Sequence, residues 1–207
     1  MPLFSPNQFR GPDFFFNWKA DGGTTADPQL QFFENFPGHL AQGFGAFSVN
    51  TLSVHAVNIP LSISLNKAIF LASFSGLTNR TPTMSASFGL YSLNGVSLSL
   101  ENSGSFSQSY GSNLSNSTGV SWNTFALSKT QNLTPGPWYF AVNVSSNSNT
   151  YSILINSSIN PANAIPGGFL MGRMTASTGA MPASIATSDL DITGSDAIRQ
   201  PYIIITA

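Results

Sequence analysis

From residue 43 onward, apolar and polar residues alternate with the two-residue period of strands that bury one face. Leu52, Val54 and Ala56 alternate with Ser53, His55 and Val57, and Leu61, Ile63 and Leu65 with Ser62, Ser64 and Asn66. Val96, Leu98 and Leu100 alternate with Ser97, Ser99 and Glu101, while Trp138, Phe140, Val142 and Val144 form another apolar set at the same spacing. Turn formers separate the runs: Asn94-Gly95, Ser103-Gly104, Pro135-Gly136 and the polar stretch 145–149. Further strands are expected over 67–75, 84–92, 105–110, 120–128, 151–156, 168–175 and 198–206. Many short strands with almost no helix predict an all-β fold, an antiparallel two-layer sandwich of jelly-roll type. No repeat of fixed period is present, which argues against a solenoid or propeller.

The first 42 residues follow neither a period of 2 nor one of 3.6, and they are read as an irregular, aromatic-rich N-terminal arm preceding a sandwich domain over 43–207. Residues 1–47 hold 11 of the chain's 25 aromatic residues. One short helix is expected here, with Asp27 as N-cap, Pro28 at its first position, Leu30 and Phe33 on its apolar side and Pro37 as its stop. The run Phe14-Phe15-Phe16, followed by Trp18, carries the arm's chemistry. Burying one such side chain is worth roughly 1.5–3 kcal/mol, and an isolated loop cannot hide four of them. They must pack on their own sandwich or on another chain, which makes Phe14, Phe15, Phe16 and Trp18 the candidate partner-docking residues.

Composition then narrows the function. Charged residues are 7% of the 207, against roughly a quarter in ordinary globular chains. Hydrophobic residues still reach 42%, enough for a core, so the surface must be neutral and polar; 31 Ser, 16 Thr and 19 Asn supply it. Seven scattered Lys and Arg with a net charge of −1 do not make a phosphate-neutralising patch, so neither nucleic acid nor an anionic membrane is an expected partner. No apolar run nears the roughly 20 residues that span a bilayer. No cysteine is present, which removes disulfides and thiolate metal sites. The start, Met1-Pro2-Leu3-Phe4-Ser5-Pro6, lacks a signal-peptide layout. The expectation is a chain made and kept in the cytoplasm until lysis releases it, or a mature secreted domain without its leader.

Catalytic machinery is scarce. Between residues 40 and 172 the charged side chains are Lys67, Arg80, Glu101 and Lys129. Paired-carboxylate hydrolysis needs two acids together; Glu101 would have to meet an acid of the arm or tail such as Asp189, and is otherwise a solvated residue at a strand end. His39 sits in a turn and His55 on the polar side of its strand, so both are expected at the surface. No G-x-S-x-G elbow occurs, and zinc would lack ligands. Asp189, Asp191 and Asp196 offer three carboxylates around a glycine, yet not in the order of an EF-hand loop, so a plain turn competes with a calcium site. The six Asn-x-Ser/Thr sequons are about what composition alone would give. The small-residue loop from Tyr110 to Gly119 is read as a solvated loop, with Tyr110 and Asn113 the candidate glycan contacts through aromatic stacking and hydrogen bonding. No catalytic, cofactor or metal residue is assigned.

Two stretches resemble a known family. Ser87-Phe88-Gly89-Leu90-Tyr91-Ser92 is similar to a strand in which glycine, an aliphatic residue and tyrosine precede a turn. Leu133-Thr134-Pro135-Gly136-Pro137-Trp138-Tyr139-Phe140-Ala141 is similar to a later Pro-Gly bend that leads into aromatics and alanine. With an aliphatic strand near Ile69 before them and Pro201-Tyr202-Ile203-Ile204-Ile205 after, the order resembles the small β-sandwich domains of phage tail-fibre and head-decoration proteins, over about residues 44–207. Ser87 stands where that family commonly carries arginine. The resemblance implies a virion structural protein without catalytic residues, assembling on a particle surface with itself, as a homo-oligomer such as a trimer, or with other virion proteins. A glycan-binding adhesin or receptor-binding module is the alternative.

Overall fold

A computed structural model describes residues 18–20, 30–35, 43–46, 49–59, 61–75, 83–109, 118–147, 151–156, 171–175, 180–191 and 200–206. Within them run β1 (Trp18–Ala20), β2 (Leu30–Glu34), β3 (Gly43–Ala46), β4 (Thr51–Ile59), β5 (Ile63–Ser75), β6 (Thr83–Asn94) and β7 (Ser97–Ser109). The remainder are β8 (Thr118–Leu133), β9 (Gly136–Asn147), β10 (Tyr151–Asn156), β11 (Met171–Thr175), β12 (Ser184–Ala186), β13 (Gln200–Pro201) and β14 (Ile203–Thr206). Apart from one β2–β5 contact, the ladders are antiparallel.

β4 pairs with β9, β5 with β8, and β6 with β7, a nested set of the jelly-roll kind. Together they curl one continuous sheet, ordered β1-β2-β14-β5-β8-β7-β6-β9-β4-β11, into an all-β, sandwich-like body. One layer is β11-β4-β9-β6-β7 and the other β8-β5-β14-β2-β1. The layers join where β7 and β8 touch, through Gly104↔Leu127 and Ser105↔Ala126 alone. A side chain on Gly104 would collide with the Ala126 carbonyl, so this close crossing requires glycine. At the β6–β7 hairpin, Gly95 takes φ +63°, the conformation that the first central residue of a type II′ turn demands.

The core between the layers is aromatic. Phe70 stacks on Phe125 at 4.5 Å between ring centroids, Phe125 on Phe88 at 5.7 Å across the layers, and Phe88 meets Phe140 edge-on at 5.4 Å. All four rings are fully buried, with Met84, Leu90, Ile63, Ile203 and Ile205 around them. A second apolar cluster lies on the opposite, outward face of the first layer. It joins Leu52, Val54, Tyr91, Leu98, Tyr139 and Ala141 to Ile185 and Leu190. The cover is residues 180–191, a strap across that face. β12 pairs with the β7 edge, Thr187 N–H donates to the Val96 carbonyl at 3.0 Å, and Asp191 exchanges two backbone hydrogen bonds with Arg173 on β11. The Tyr91 hydroxyl fastens the strap by donating to the Pro182 carbonyl at 2.9 Å.

The strands expected from alternation are present, but some expected breaks are not: Ser103-Gly104, expected as a turn, lies inside β7, and the runs at 61–65 and 67–75 join in β5. The helix expected over 27–37 is instead strand β2. Its backbone is hydrogen-bonded between β1 and β14, and Phe33, in register with Ile205, is fully buried in the main core. Tertiary packing overrode a local helix signal of capping residues and prolines. β1 and β2, both within residues 1–42, thus belong to the sheet.

Candidate functional site

A concavity opens where β7 and β8 part. A bulge leaves Glu101 without an opposite number on β6: Leu90 pairs with Asn102 but Tyr91 with Leu100. Below the Gly104 crossing, β7 turns its free edge to β12 rather than β8. The Asn102 side chain bridges the gap left behind. Its Nδ2 donates to the Lys129 carbonyl at 2.7 Å, and its Oδ1 accepts from Ser103 N–H at 2.9 Å and the Ser128 hydroxyl at 2.8 Å. Beside this bridge lies a groove of about 460 Å³, lined by Ser87, Ser103, Gly104, Ser105, Ala126 and Ser128, with Ala180 and Met181 of the strap as its rim. Directly opposite residues of antiparallel strands share a face, so register aligns Ala126, Ser105, Ser87 and Asn143 in one row. Asn143 is fully buried, and among the described residues its amide has no hydrogen-bond partner at either end. The groove carries hydroxyls and no ionised group. It can hydrogen-bond a neutral polar surface, and it holds no acid or base.

The acids lie apart from it. Glu101, expected as a solvated residue at a strand end, is within β7, half-buried, and accepts from the Ser92 hydroxyl at 2.6 Å. Asp189 ends an exposed single 3-10 turn. Asp191 stands 3.8 Å from the Arg173 guanidinium, consistent with its role as the strap's far anchor. Asp196 lies outside the described residues. Among the described residues no three His, Asp or Glu side chains gather as a metal site would require.

His55 departs from expectation. The alternation placed it on a polar, solvent-facing side of β4, but that side is the main core. His55 is 1% exposed, with its ring edge-on to Phe140 at 5.7 Å. β4 is covered on both faces, by the core and by the strap-side cluster, so its polar-looking side is interior. The imidazole meets Asn35, just past β2 on the other layer. Asn35 N–H donates to the Ile203 carbonyl at 3.0 Å, and its Oδ1 accepts from Ile203 N–H at 2.9 Å. The bond to Oδ1 fixes the amide's orientation, so Nδ2 donates to the Pro201 carbonyl at 2.7 Å and faces His55 Nε2 at 3.1 Å. Nε2 is therefore the acceptor and Nδ1 carries the proton, with no partner among the described residues. Burial drives the imidazole down from 6.5 to about 3. His39 lies outside the described residues.

Of the residues singled out from the sequence, Phe14, Phe15 and Phe16 lie outside the described residues, as do Tyr110 and Asn113. Trp18 opens β1, in register with Phe33. The Asn143 sequon is interior, whereas Asn132 is exposed. Sequence reasoning passed over Trp122, which is 55% exposed on β8 and 6.3 Å from the Tyr202 ring. Its signal was there: Trp122, Thr124 and Ala126 share the face opposite Phe125. Tyr202, 5% exposed, has its phenol pushed up by burial and then by its hydrogen bond to Glu34.

The chain matches no protein-family model, and a comparison with curated proteins gives no match.

Proposed function

We propose that this chain is a non-catalytic structural protein of phage particles, of the tail-fibre or head-decoration kind. On this reading it assembles in the host cytoplasm with itself or with other virion proteins, docks through Phe14, Phe15, Phe16 and Trp18, and displays its sandwich on the particle surface. The observation that carries the assembly reading is the uncharged outward face of β8, where Trp122, Thr124, Ala126 and Ser128 stand exposed. A large aromatic among small neutral side chains is the composition that partner surfaces favour, and the cation beside them, Lys67 on β5 in register with Ala126, can keep its head group in water at the rim of a contact. Size-exclusion chromatography with light scattering tests it. The full chain is expected to run as a homo-oligomer such as a trimer, and a Phe14→Ser/Phe15→Ser/Phe16→Ser variant as a monomer. A full chain that is monomeric at all concentrations, and binds no virion protein of its own particle, contradicts it.

The serine-lined groove favours a second reading, a glycan-binding module. Neutral hydroxyls and a bridging asparagine suit the hydroxyls of a sugar better than any charged ligand. Saturable binding on a glycan array, weakened by Ser87→Val or Tyr110→Ala, would support it; absence of binding to every sugar would count against it.

A further inference from the structure

We propose that His55 and Asn35 form an acid-released latch, which holds β2 and the β1 strand paired with it against the sandwich at neutral pH and lets them go in mild acid. The hydrogen bond is a link between layers. His55 projects from β4 in one layer, and Asn35 follows β2 in the other and is tied to β13 and β14. Every donor and acceptor of the Asn35 side chain is committed: Oδ1 to Ile203 N–H, and Nδ2 to the Pro201 carbonyl and the imidazole. The amide cannot turn over to meet a changed partner without breaking two other bonds.

Adding a proton to Nε2 turns the acceptor into a donor. An imidazolium N–H would then point at an amide NH2, and a cation would sit in a space lined by Phe140. Among the described residues, nothing facing the ring can compensate. On β9 its opposite number is Phe140, on β11 it is Met171, and the neighbours from the other layer are Asn35 and Pro201. The nearest ionisable groups in sequence, Glu34 and Tyr202, engage each other on the outward side of their layer. Nδ1–H already lacks a partner, so the neutral state begins with an unsatisfied buried donor.

What yields is the weaker side. β4 is held by eight register pairs to β9 and five to β11, whereas β2 has three to β14, one to β5 and three to β1, which would leave with it. In the released state His55 titrates at its ordinary value near 6.5, while burial holds it neutral in the closed state. The opening equilibrium therefore gains up to tenfold per pH unit below about 6.5, or roughly thirtyfold by pH 5.

Hydrogen–deuterium exchange on the full chain at pH 7.5, 6.0 and 5.0, corrected for the intrinsic rate, tests this. The peptide covering residues 30–35 is expected to lose protection by roughly thirtyfold between neutral pH and pH 5, while peptides of β6 and β9 keep theirs. His55→Gln, whose amide can accept from Asn35 but does not titrate, should abolish that pH dependence. Constant protection at 30–35 in the wild type overturns the latch. So does an unchanged pH dependence in His55→Gln, or simultaneous loss of protection throughout the sandwich. Should His55→Gln not fold, the wild-type contrast between 30–35 and β9 decides alone.

Discussion

Strands β4 and β8 are both long and antiparallel, but β4 is buried on both faces and β8 on one. In β4 the residues Leu52 and Val54 face the strap-side cluster, and His55, Val57 and Ile59 face the main core. In β8 Asn123 and Phe125 point inward, while Trp122, Thr124 and Ala126 meet solvent. The difference comes from residues 180–191, which give one layer a second interior. A strand with one wet face tolerates threonine and serine there at little cost. A strand with two dry faces offers a polar atom no water, so His55 Nε2 depends on Asn35 and the unpartnered Nδ1–H is a cost the fold carries.

The largest loss of stability is expected at the main core. Phe125→Ala removes a ring that stacks on both Phe70 and Phe88 and should cost about 3–5 kcal/mol. Denaturant unfolding would show it as a lowered midpoint at constant slope; a loss below about 1 kcal/mol would mean the layers do not pack as described. The strap comes next. Ile185→Ala should cost about 2–4 kcal/mol, and limited proteolysis should cut near 180–191 before the rest. Cleavage spread evenly over the chain would deny the strap its separate role.

Third is the effect of pH. The folded-state pKa of His55 lies below its unfolded value, so the folded protein binds fewer protons between pH 6.5 and about 3. Stability is thus fully present above 6.5 and falls as pH drops, by up to about 1.4 kcal/mol per unit. His55→Gln should flatten the pH profile of the unfolding free energy in that window, and a variant that keeps the wild-type slope would assign the slope to another group. Smallest is Thr124→Ala on the wet face of β8, expected to change stability by no more than about 0.5 kcal/mol; thermal melting checks it, and a larger loss would reveal a hidden contact there.

Much of the fold was legible because period-2 alternation and turn residues report directly on one-sided burial. The strands around Leu98, Phe125 and Phe140 and the turns at Asn94-Gly95 and Pro135-Gly136 follow from that pattern. Three things were not legible. β2 carries a helix signal, and only its pairing with β14 makes it a strand. The serines of the groove are spread over β6, β7 and β8 and read as ordinary outward residues until register aligns them. His55 looks like a surface histidine because alternation cannot tell water from a second core. The sequence gives no sign that a strap some 130 residues downstream will cover the other side of its strand.

Nitrogen NMR of the His55 ring on labelled full-length protein separates a buried imidazole from a solvent-facing one. The ring should be neutral, protonated on Nδ1, at every pH at which residues 30–35 keep their exchange protection, and should take up a proton only where that protection is lost. A His55 that titrates near 6.5 while residues 30–35 stay protected, as a solvent-facing histidine would, contradicts this.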